Sequence, residues 1–292
     1  MEAILQWGIE VVLWFQYFSP SLDILFKIFS LSGNELFYLL FMPAIIWCIN
    51  PRIGIRLLIL TLASTYLNAL AKLLIDQPRP FNYDSRVKEL MHATGGGLPS
   101  GHTQNALVFW SYIAASFKSK KLWIFAGVMM VFVPLSRVYL GVHFPTDLLG
   151  GYFLGIVVLL LFMKIEQPVI DWLKQKKLGF HLSLSLGIPM FLVFTAPEFD
   201  PAITGIGGVL MGALIGLSFE QQRREFQVPK TIMKKIMGYF IGIIILFAFY
   251  IGLKLAFISL EPQPIFRFIR YSIIGFHITF LAPWVLFKLK LA

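Results

Sequence analysis

A histidine and an aspartate four residues apart form the most reactive pairing in this sequence. Within Ser136–Asp147, Pro145 suits the first position of a helix, which puts His143 just before that helix and Asp147 in its first turn. At this spacing the carboxylate can accept one imidazole N–H, which fixes the tautomer and leaves the other ring nitrogen free to attack an electrophile. Taken alone, the pair also fits a capped helix with a nearby histidine.

Two cations lie near the end of an apolar helix in the stretch Lys72–Pro80. Lys72 precedes Arg79 by two turns, so both side chains can point the same way, and Pro78 and Pro80 end the helix. A cation within a membrane span is costly and usually faces a cavity or a partner. The alternative is a snorkelling lysine followed by an arginine in a loop.

A third polar stretch, Gly95–His102, predicts an anion site at a helix start. Three glycines precede Pro99, and Ser100 can cap a helix that begins near Gly101. The exposed N–H groups of such a helix start bind anions, and a glycine lets a phosphate approach the backbone. The alternative is that this stretch is only a loop followed by a helix cap.

The composition is that of a membrane protein. Of the 292 residues, 58% are hydrophobic and only 14% are charged, against about 25% charged in soluble domains. This excludes an ordinary cytosolic enzyme, a disordered chain and a nucleic-acid-binding domain. The net charge of +10 is carried by short basic clusters between apolar runs. The single Cys48 excludes a disulfide framework and a cysteine-based metal site.

The apolar runs predict an all-α, polytopic transmembrane helical bundle of about nine spans. Residues 1–29 mix aromatic and charged side chains and indicate an N-terminal interfacial amphipathic segment, with a tenth span as the alternative. The predicted spans are Leu36–Asn50, Gly54–Ile75, Thr103–Phe117, Leu122–Leu140, Thr146–Met163, Phe180–Pro197, Ile203–Phe219, Ile236–Ile258 and Phe268–Phe287.

The distribution of basic residues orients these spans. Sixteen of the 25 Lys and Arg residues, Arg224 among them, fall on one side and nine on the other, so the first side should be cytoplasmic. All three polar stretches then meet on the opposite side. There they bring together three cations, two histidines, a hydroxyl, a helix start and a carboxylate. That combination suits a phosphate, and nothing in it resembles a metal site.

The three stretches together resemble the signature of the type 2 phosphatidic acid phosphatase (PAP2) superfamily of integral membrane phosphatases. The signature reads Lys-x6-Arg-Pro, Pro-Ser-Gly-His and Ser-Arg-x5-His-x3-Asp, and it is complete at Lys72–Pro80, Pro99–His102 and Ser136–Asp147. The resemblance covers residues 30–165. The glycines before Pro99 and the additional C-terminal spans are similar to the sphingoid-base-phosphate phosphatase branch.

The resemblance implies a role for each signature residue and requires no cofactor. His143 would attack phosphorus and become a phosphohistidine, Asp147 would orient it, and His102 would protonate the leaving group and then activate water. The phosphate-binding groups would be Lys72, Arg79, Ser100, Gly101 and Arg137.

The C-terminal half contains no comparable cluster. One membrane domain in three parts is predicted: residues 1–30 as the interfacial segment, 31–165 as the catalytic core and 166–292 as an extension of about four spans. Gly208, Gly212 and Gly216 form a small-residue face, either for packing within the chain or for a homodimer. Glu261, Arg267 and Arg270 are weaker candidates for contact with a substrate headgroup.

The sequence therefore predicts a metal-independent phosphatase of lipid phosphates in a cell inner membrane, with its site facing the periplasm or the outside. The partners would be the bilayer and a lipid phosphate, either a phosphomonoester or a diphosphate, and no nucleic acid. One alternative is a lipid phosphotransferase that uses a polyprenyl diphosphate donor. Another is a non-enzymatic transporter of anions or lipids.

Overall fold

The computed structural model describes residues 2–223 and 226–292, so Arg224, one of the predicted cytoplasmic cations, lies outside the described residues. The described part contains helices and no strand. In chain order the α-helices are α1 (Glu2–Gln16), α2 (Asp23–Leu31), α3 (Glu35–Ala44), α4 (Pro51–Ile75), α5 (Pro80–Tyr83), α6 (Gly101–Phe117), α7 (Lys120–Tyr139), α8 (Pro145–Lys174), α9 (Leu178–Phe194), α10 (Pro201–Arg223), α11 (Ile232–Ala256), α12 (Gln263–Phe276) and α13 (Ala282–Lys288).

The predicted all-helical class is confirmed, whereas nine spans are not. Six helical segments of the described residues are long and apolar enough to cross a membrane, and a bent pair, α2 with Glu35–Ile49, would make a seventh. The predicted spans Thr103–Phe117 and Phe180–Pro197 are helices, α6 and α9, of 17 residues each. A spanning helix needs roughly 20 residues, so these two fall short of the length.

The described chain forms two compact units, and their boundary falls inside α3, α4 and α8. The first comprises residues 2–39 and 63–164, and the second comprises 40–62, 165–223 and 226–292. The predicted division at residues 30 and 165 stays a prediction.

In the first unit, a buried polar network joins α4 to α6. The Ser64 hydroxyl donates to Asn105 Oδ1 at 2.7 Å, and Asn68 Nδ2 donates to Gln104 Oε1 at 2.8 Å. Gln104 Nε2 also donates to the Ser64 carbonyl oxygen at 2.8 Å. Hydrogen bonds of this kind hold apolar helices together where the hydrophobic effect cannot. They fix α4, which carries Lys72, against α6, which carries His102.

The N-terminal helix α1 packs onto this unit by one face. Ile9 and Val12 are fully buried in a cluster with Val138 and Phe144, whereas Trp7 and Trp14 on the other face are more than half exposed. The exposed aromatic face suits a lipid interface, and a location at the membrane surface stays a prediction.

In the second unit, the three glycines of α10 pack against the segment that begins with α12. A Cβ at Gly212 would lie 1.8 Å from the Ser272 carbonyl oxygen, and one at Gly208 would lie 2.6 Å from that of Phe268. At Gly216 it would lie 2.2 Å from Thr279 Oγ1. Packing within the chain is therefore confirmed. The predicted homodimer contact through this face stays a prediction.

Candidate active site

The predicted pair of His143 and Asp147 comes together at the start of α8, in the first unit. His143 Nδ1 lies 3.0 Å from Asp147 Oδ2, and that oxygen also accepts the Phe144 N–H at 2.9 Å. His143 is 2% exposed and Asp147 is fully buried. Since a carboxylate accepts, we assign the ring proton to Nδ1, which leaves the lone pair of Nε2 available.

The other carboxylate oxygen of Asp147 is held by a residue that sequence reasoning missed. Gln77 Nε2 donates to Asp147 Oδ1 at 2.8 Å. Gln77 occupies one of the unspecified positions between Lys72 and Arg79, so the signature gives no reason to single it out. The one local signal that could have indicated Gln77 is its position, since it is an amide side chain at the end of an apolar helix, directly before Pro78.

Arg79 lies against the nucleophile candidate and also holds the backbone around it. Its Nη1 is 3.4 Å from His143 Nε2 and 2.8 Å from the Val142 carbonyl oxygen. Its Nε and Nη2 donate to the carbonyls of Gly95 and Thr94 at 2.9 and 2.8 Å. This guanidinium therefore shapes the loop and lies beside the predicted nucleophilic nitrogen, while phosphate binding by Arg79 stays a prediction.

Lys72 extends the same arrangement along the glycine-rich loop. Its ammonium donates to the Gly96 carbonyl at 2.5 Å and to that of Gly97 at 3.4 Å. Lys72 and Arg79 together therefore fix residues 94–97, which lead into Pro99. Gly97 is close to the carboxylate, since a Cβ there would lie 3.0 Å from Asp147 Oδ2.

Among the three basic residues of the site, Arg137 has the positive charge that protein groups compensate least. It is 3% exposed, and its Nη1 donates to the Ser30 hydroxyl and contacts Met91 Sδ at 3.3 Å. Within the described residues its Nε has no partner and no carboxylate forms a salt bridge with it. A buried charge is costly unless it is paired, so this position favours an anionic ligand.

His102 is placed by the connection between α2 and α3, which the sequence did not single out. Its Nε2 lies 3.1 Å from Asn34 Oδ1, and a Cβ on Gly33 would lie 2.2 Å from the ring carbon Cδ2. Asn34 and Gly33 therefore set where this ring can lie. No short sequence pattern links them to Pro99–His102, because 68 residues separate Asn34 from His102.

Ser100 caps α6 as predicted, and Gly101 serves packing. The Ser100 hydroxyl accepts bonds from the Thr103 N–H at 3.4 Å and the Thr103 hydroxyl at 3.0 Å. A Cβ on Gly101 would lie 2.9 Å from Asn68 Oδ1, so glycine is needed for the contact between α6 and α4. Close approach of a phosphate to Gly101 stays a prediction.

The electrostatics of the site favour a neutral nucleophile and an anionic ligand. Burial, followed by the charges of Lys72, Arg137 and Arg79, lowers the pKa of His143 well below its ordinary value. Three basic side chains and one carboxylate surround it. That excess of positive charge complements a phosphate dianion.

Comparison with known proteins identifies the family of this chain. The family model described as PAP2 superfamily matches residues 53–171, and the one described as PAP2 superfamily phosphatase, transmembrane extension, matches residues 204–292. The chain therefore belongs to the PAP2 superfamily of phosphatases and is a multi-pass membrane protein. The enzyme class predicted from the motifs is confirmed.

Individual relatives confirm the predicted resemblance to the PAP2 superfamily and to its sphingoid-base-phosphate phosphatase branch. Sphingosine-1-phosphate phosphatase 1 of Mus musculus is 27% identical, over 87% of this chain and 69% of the relative. Phosphatidylglycerophosphatase B of Bacillus subtilis is 34% identical, over 40% and 59%. Undecaprenyl-diphosphatase of Sulfolobus acidocaldarius is 34% identical, over 39% and 56%.

Among solved structures, a transmembrane PAP2 type phosphatidylglycerolphosphate phosphatase from Bacillus subtilis aligns with a TM-score of 0.49 and 25% identity. The alignment covers 58% of this chain and 89% of that one.

Proposed function

We propose that this protein hydrolyses a lipid phosphate through a phosphohistidine on His143. The observation that carries the proposal is the buried His143, whose Nδ1 lies 3.0 Å from Asp147 while its Nε2 borders Arg79. The same tautomer that Asp147 stabilises leaves Nε2 as the nucleophile. The positive charge that develops on the ring during attack is then compensated by a carboxylate already in contact.

The reaction has two balanced steps. In the first, the Nε2 lone pair forms the P–N bond, the P–O bond to the lipid breaks, and the departing oxygen takes a proton from His102. In the second, His102 accepts a proton from water, the oxygen of that water bonds to phosphorus, and the P–N bond breaks to release phosphate. General acid catalysis of this kind contributes roughly 10²–10⁴-fold.

The equatorial oxygens of phosphorus would be bound by Lys72, Arg79, Ser100, the Gly101 N–H and Arg137. Phosphoryl transfer depends mainly on positioning and charge stabilisation. Arg79 and Lys72 already donate to loop carbonyls, but a guanidinium has five N–H donors and an ammonium has three. Both therefore retain donors for a phosphate. A bound phosphate would stabilise Arg137 the most, because Arg137 is buried and its Nε is unpaired.

These cations supply the charge stabilisation that a metal ion would otherwise provide. Among residues 2–223 and 226–292, no three His, Cys, Asp or Glu side chains are grouped as a metal site requires. Activity is therefore expected to survive EDTA. Vanadate should inhibit, because it adopts the five-coordinate geometry of phosphorus in the transition state.

The substrate class follows from the membrane setting and from the relatives. Those relatives are named for sphingosine-1-phosphate, phosphatidylglycerophosphate and undecaprenyl diphosphate. A lipid tail would stay in the bilayer while the phosphate enters sideways. We further propose an inner-membrane location with a non-cytoplasmic site. We also propose that α6 crosses the membrane although it is short. Its polar side chains bond to α4 and therefore do not have to face lipid.

The decisive experiment is phosphate release by purified protein in detergent, without metal. The panel comprises phosphatidic acid, phosphatidylglycerol phosphate, sphingosine phosphate, ceramide phosphate and a polyprenyl diphosphate, with His143→Ala as the control. Release without an added acceptor lipid supports the hydrolase. Release only with an acceptor would favour the phosphotransferase, and no turnover of any substrate would favour a transporter. Loss with EDTA and recovery with Mg²⁺ would refute metal independence.

Orientation has its own test. Lys88 is exposed in the loop between α5 and α6, and Lys88→Cys in a Cys48→Ala background should react with an impermeant thiol reagent in intact cells. In a bacterium the outer membrane must first be permeabilised. Labelling only after the inner membrane is broken would reverse the assignment.

A further inference from the structure

A cavity of about 150 Å³ lies in the second unit, where α11 ends and α12 begins. Three basic side chains line it, together with three apolar ones and Gln263. The basic residues are Lys254, Arg267 and Arg270, and the apolar ones are Phe257, Ile258 and Phe266. None of the predicted catalytic or phosphate-binding residues belongs to this lining.

The cavity lies at the junction of two candidate spans. The spans are Ile232–Ala256 and Gln263–Lys288, and residues 257–262 connect them. Gln263 fixes this connection, since its Nε2 donates to the carbonyls of Leu260 at 2.8 Å and Ile258 at 3.1 Å. The rings of Phe257 and Phe266 pack at 5.1 Å between centroids. These contacts fix the wall of the cavity at the ends of two candidate membrane helices.

No salt bridge among the described residues compensates the positive charge of this cavity. None of the lining residues is acidic, and among the residues that the structure describes no salt bridge pairs Lys254, Arg267 or Arg270. The Arg270 guanidinium stacks at 4.8 Å over Tyr271, which holds it in place, and its buried Nε has no partner in the described chain. Three cations around one small cavity repel each other, and a bound anion would remove that repulsion.

We propose that this cavity is a second anion site that binds a phosphate group. An Arg fork and a Lys point charge are the groups that proteins use for phosphate. The adjacent Phe257, Ile258 and Phe266 suit the first carbons of a lipid tail, so an anionic phospholipid is one source of the phosphate. Free inorganic phosphate is the other. Binding at this cavity does not depend on the proposed catalysis.

The test is equilibrium binding to the purified full-length protein in neutral detergent. The probes are phosphatidylglycerol, phosphatidylcholine and inorganic phosphate. Phosphatidylglycerol is a phosphodiester, so a phosphomonoesterase does not consume it. The pocket variant is Lys254→Gln/Arg267→Gln/Arg270→Gln. The matched control, Lys118→Gln/Lys120→Gln/Lys121→Gln, removes the same charge from exposed lysines around the start of α7.

The wild type and the control should bind phosphatidylglycerol at least tenfold more tightly than the pocket variant does, with little difference for phosphatidylcholine. If inorganic phosphate shows the same dependence on the pocket at millimolar concentration or below, free phosphate is the source. Equal binding by the wild type and the pocket variant, or equal loss in the control, overturns the proposal. The single variant Arg267→Gln, expected to weaken binding at least threefold, decides the matter if the triple variant does not fold.

Discussion

The bond from Gln77 to Asp147 predicts a catalytic effect for a residue outside the signature. Asp147 is fully buried, and its two oxygens accept from His143, Phe144 and Gln77. Replacing Gln77 by Met keeps the side-chain length but removes the donor. Asp147 Oδ1 then loses its partner, and the carboxylate is free to rotate away from the His143 ring.

The size of the effect follows from the burial of the two partners. A hydrogen bond to a charged group contributes about 1.5–3 kcal/mol. If all of it were lost in the transition state, kcat would fall roughly 10- to 150-fold, at about 1.4 kcal/mol per factor of ten. Gln77 itself is only half-buried, so water can replace part of the bond. The lower part of that range, about ten- to thirtyfold, is therefore expected, with KM nearly unchanged.

The assay is a double-mutant cycle on an aryl phosphate, for which weak activity remains measurable. Gln77→Met, Asp147→Asn and the double variant are compared by kcat and KM. If Gln77 acts only through Asp147, its loss should cost almost nothing once Asp147 has become Asn. Gln77→Glu puts a second carboxylate against Asp147 and should be worse than Gln77→Met.

Two results would refute this reasoning. One is a kcat for Gln77→Met within threefold of the wild type. The other is an equal loss in the presence and absence of Asp147, which would mean that Gln77 acts elsewhere. A thermal unfolding midpoint close to that of the wild type separates a positioning effect from a loss of fold.

Three further predictions concern the signature residues. Arg79→Lys and Arg137→Lys should each lower activity at least tenfold, because an ammonium cannot replace the guanidinium fork that spans the Val142, Gly95 and Thr94 carbonyls or the buried donor beside Ser30; near-normal turnover of both would contradict this. His102→Ala should lose far more activity on a lipid monophosphate than on p-nitrophenyl phosphate, whose leaving group needs no proton, while His143→Ala should be inactive on both. Single-turnover rates make that comparison, and equal losses for both variants on both substrates would contradict it. Since the pKa of His143 is lowered by burial and by nearby cations, its neutral, reactive form persists as the pH falls through its ordinary value of about 6.5. The acid limb of kcat/KM on an aryl phosphate, corrected for ionisation of the substrate, should therefore lie below that pH, and a limb at or above it would count against the assignment.

Local spacing was sufficient to predict the parts of the site that are close in sequence. Pro145 begins α8 and leaves His143 and Asp147 within hydrogen-bond distance, and Ser100 caps α6. Both depend on a single turn of backbone. Membrane composition likewise predicted the helices, since every predicted span overlaps at least one of them. The span Phe268–Phe287 includes parts of both α12 and α13, and α6 and α9 are shorter than a full crossing.

The contacts that the sequence did not reveal join distant segments. Asn34 reaches His102, Ser30 reaches Arg137, and Gln16 of α1 donates to the Lys88 carbonyl at 2.7 Å. All three partners come from the first 34 residues, and composition alone assigns residues 1–30 of these to the membrane surface. Composition reports the average polarity of a segment, whereas these contacts depend on one polar atom each and on the path of the whole chain.

The polar network between α4 and α6 explains how apolar helices can place charged groups accurately. Apolar side chains slide past one another in lipid at little cost, and a shift of one helical turn would move Lys72 by about 5.4 Å relative to His102. The bonds from Ser64 and Asn68 to Asn105 and Gln104 fit only one register, and a shifted register would leave several buried amide and hydroxyl groups unpaired. At about 1–3 kcal/mol for each unpaired group, such a slip is strongly disfavoured. The polar side chains of α6 therefore hold Lys72 and His102 in the one register that the proposed phosphate site requires.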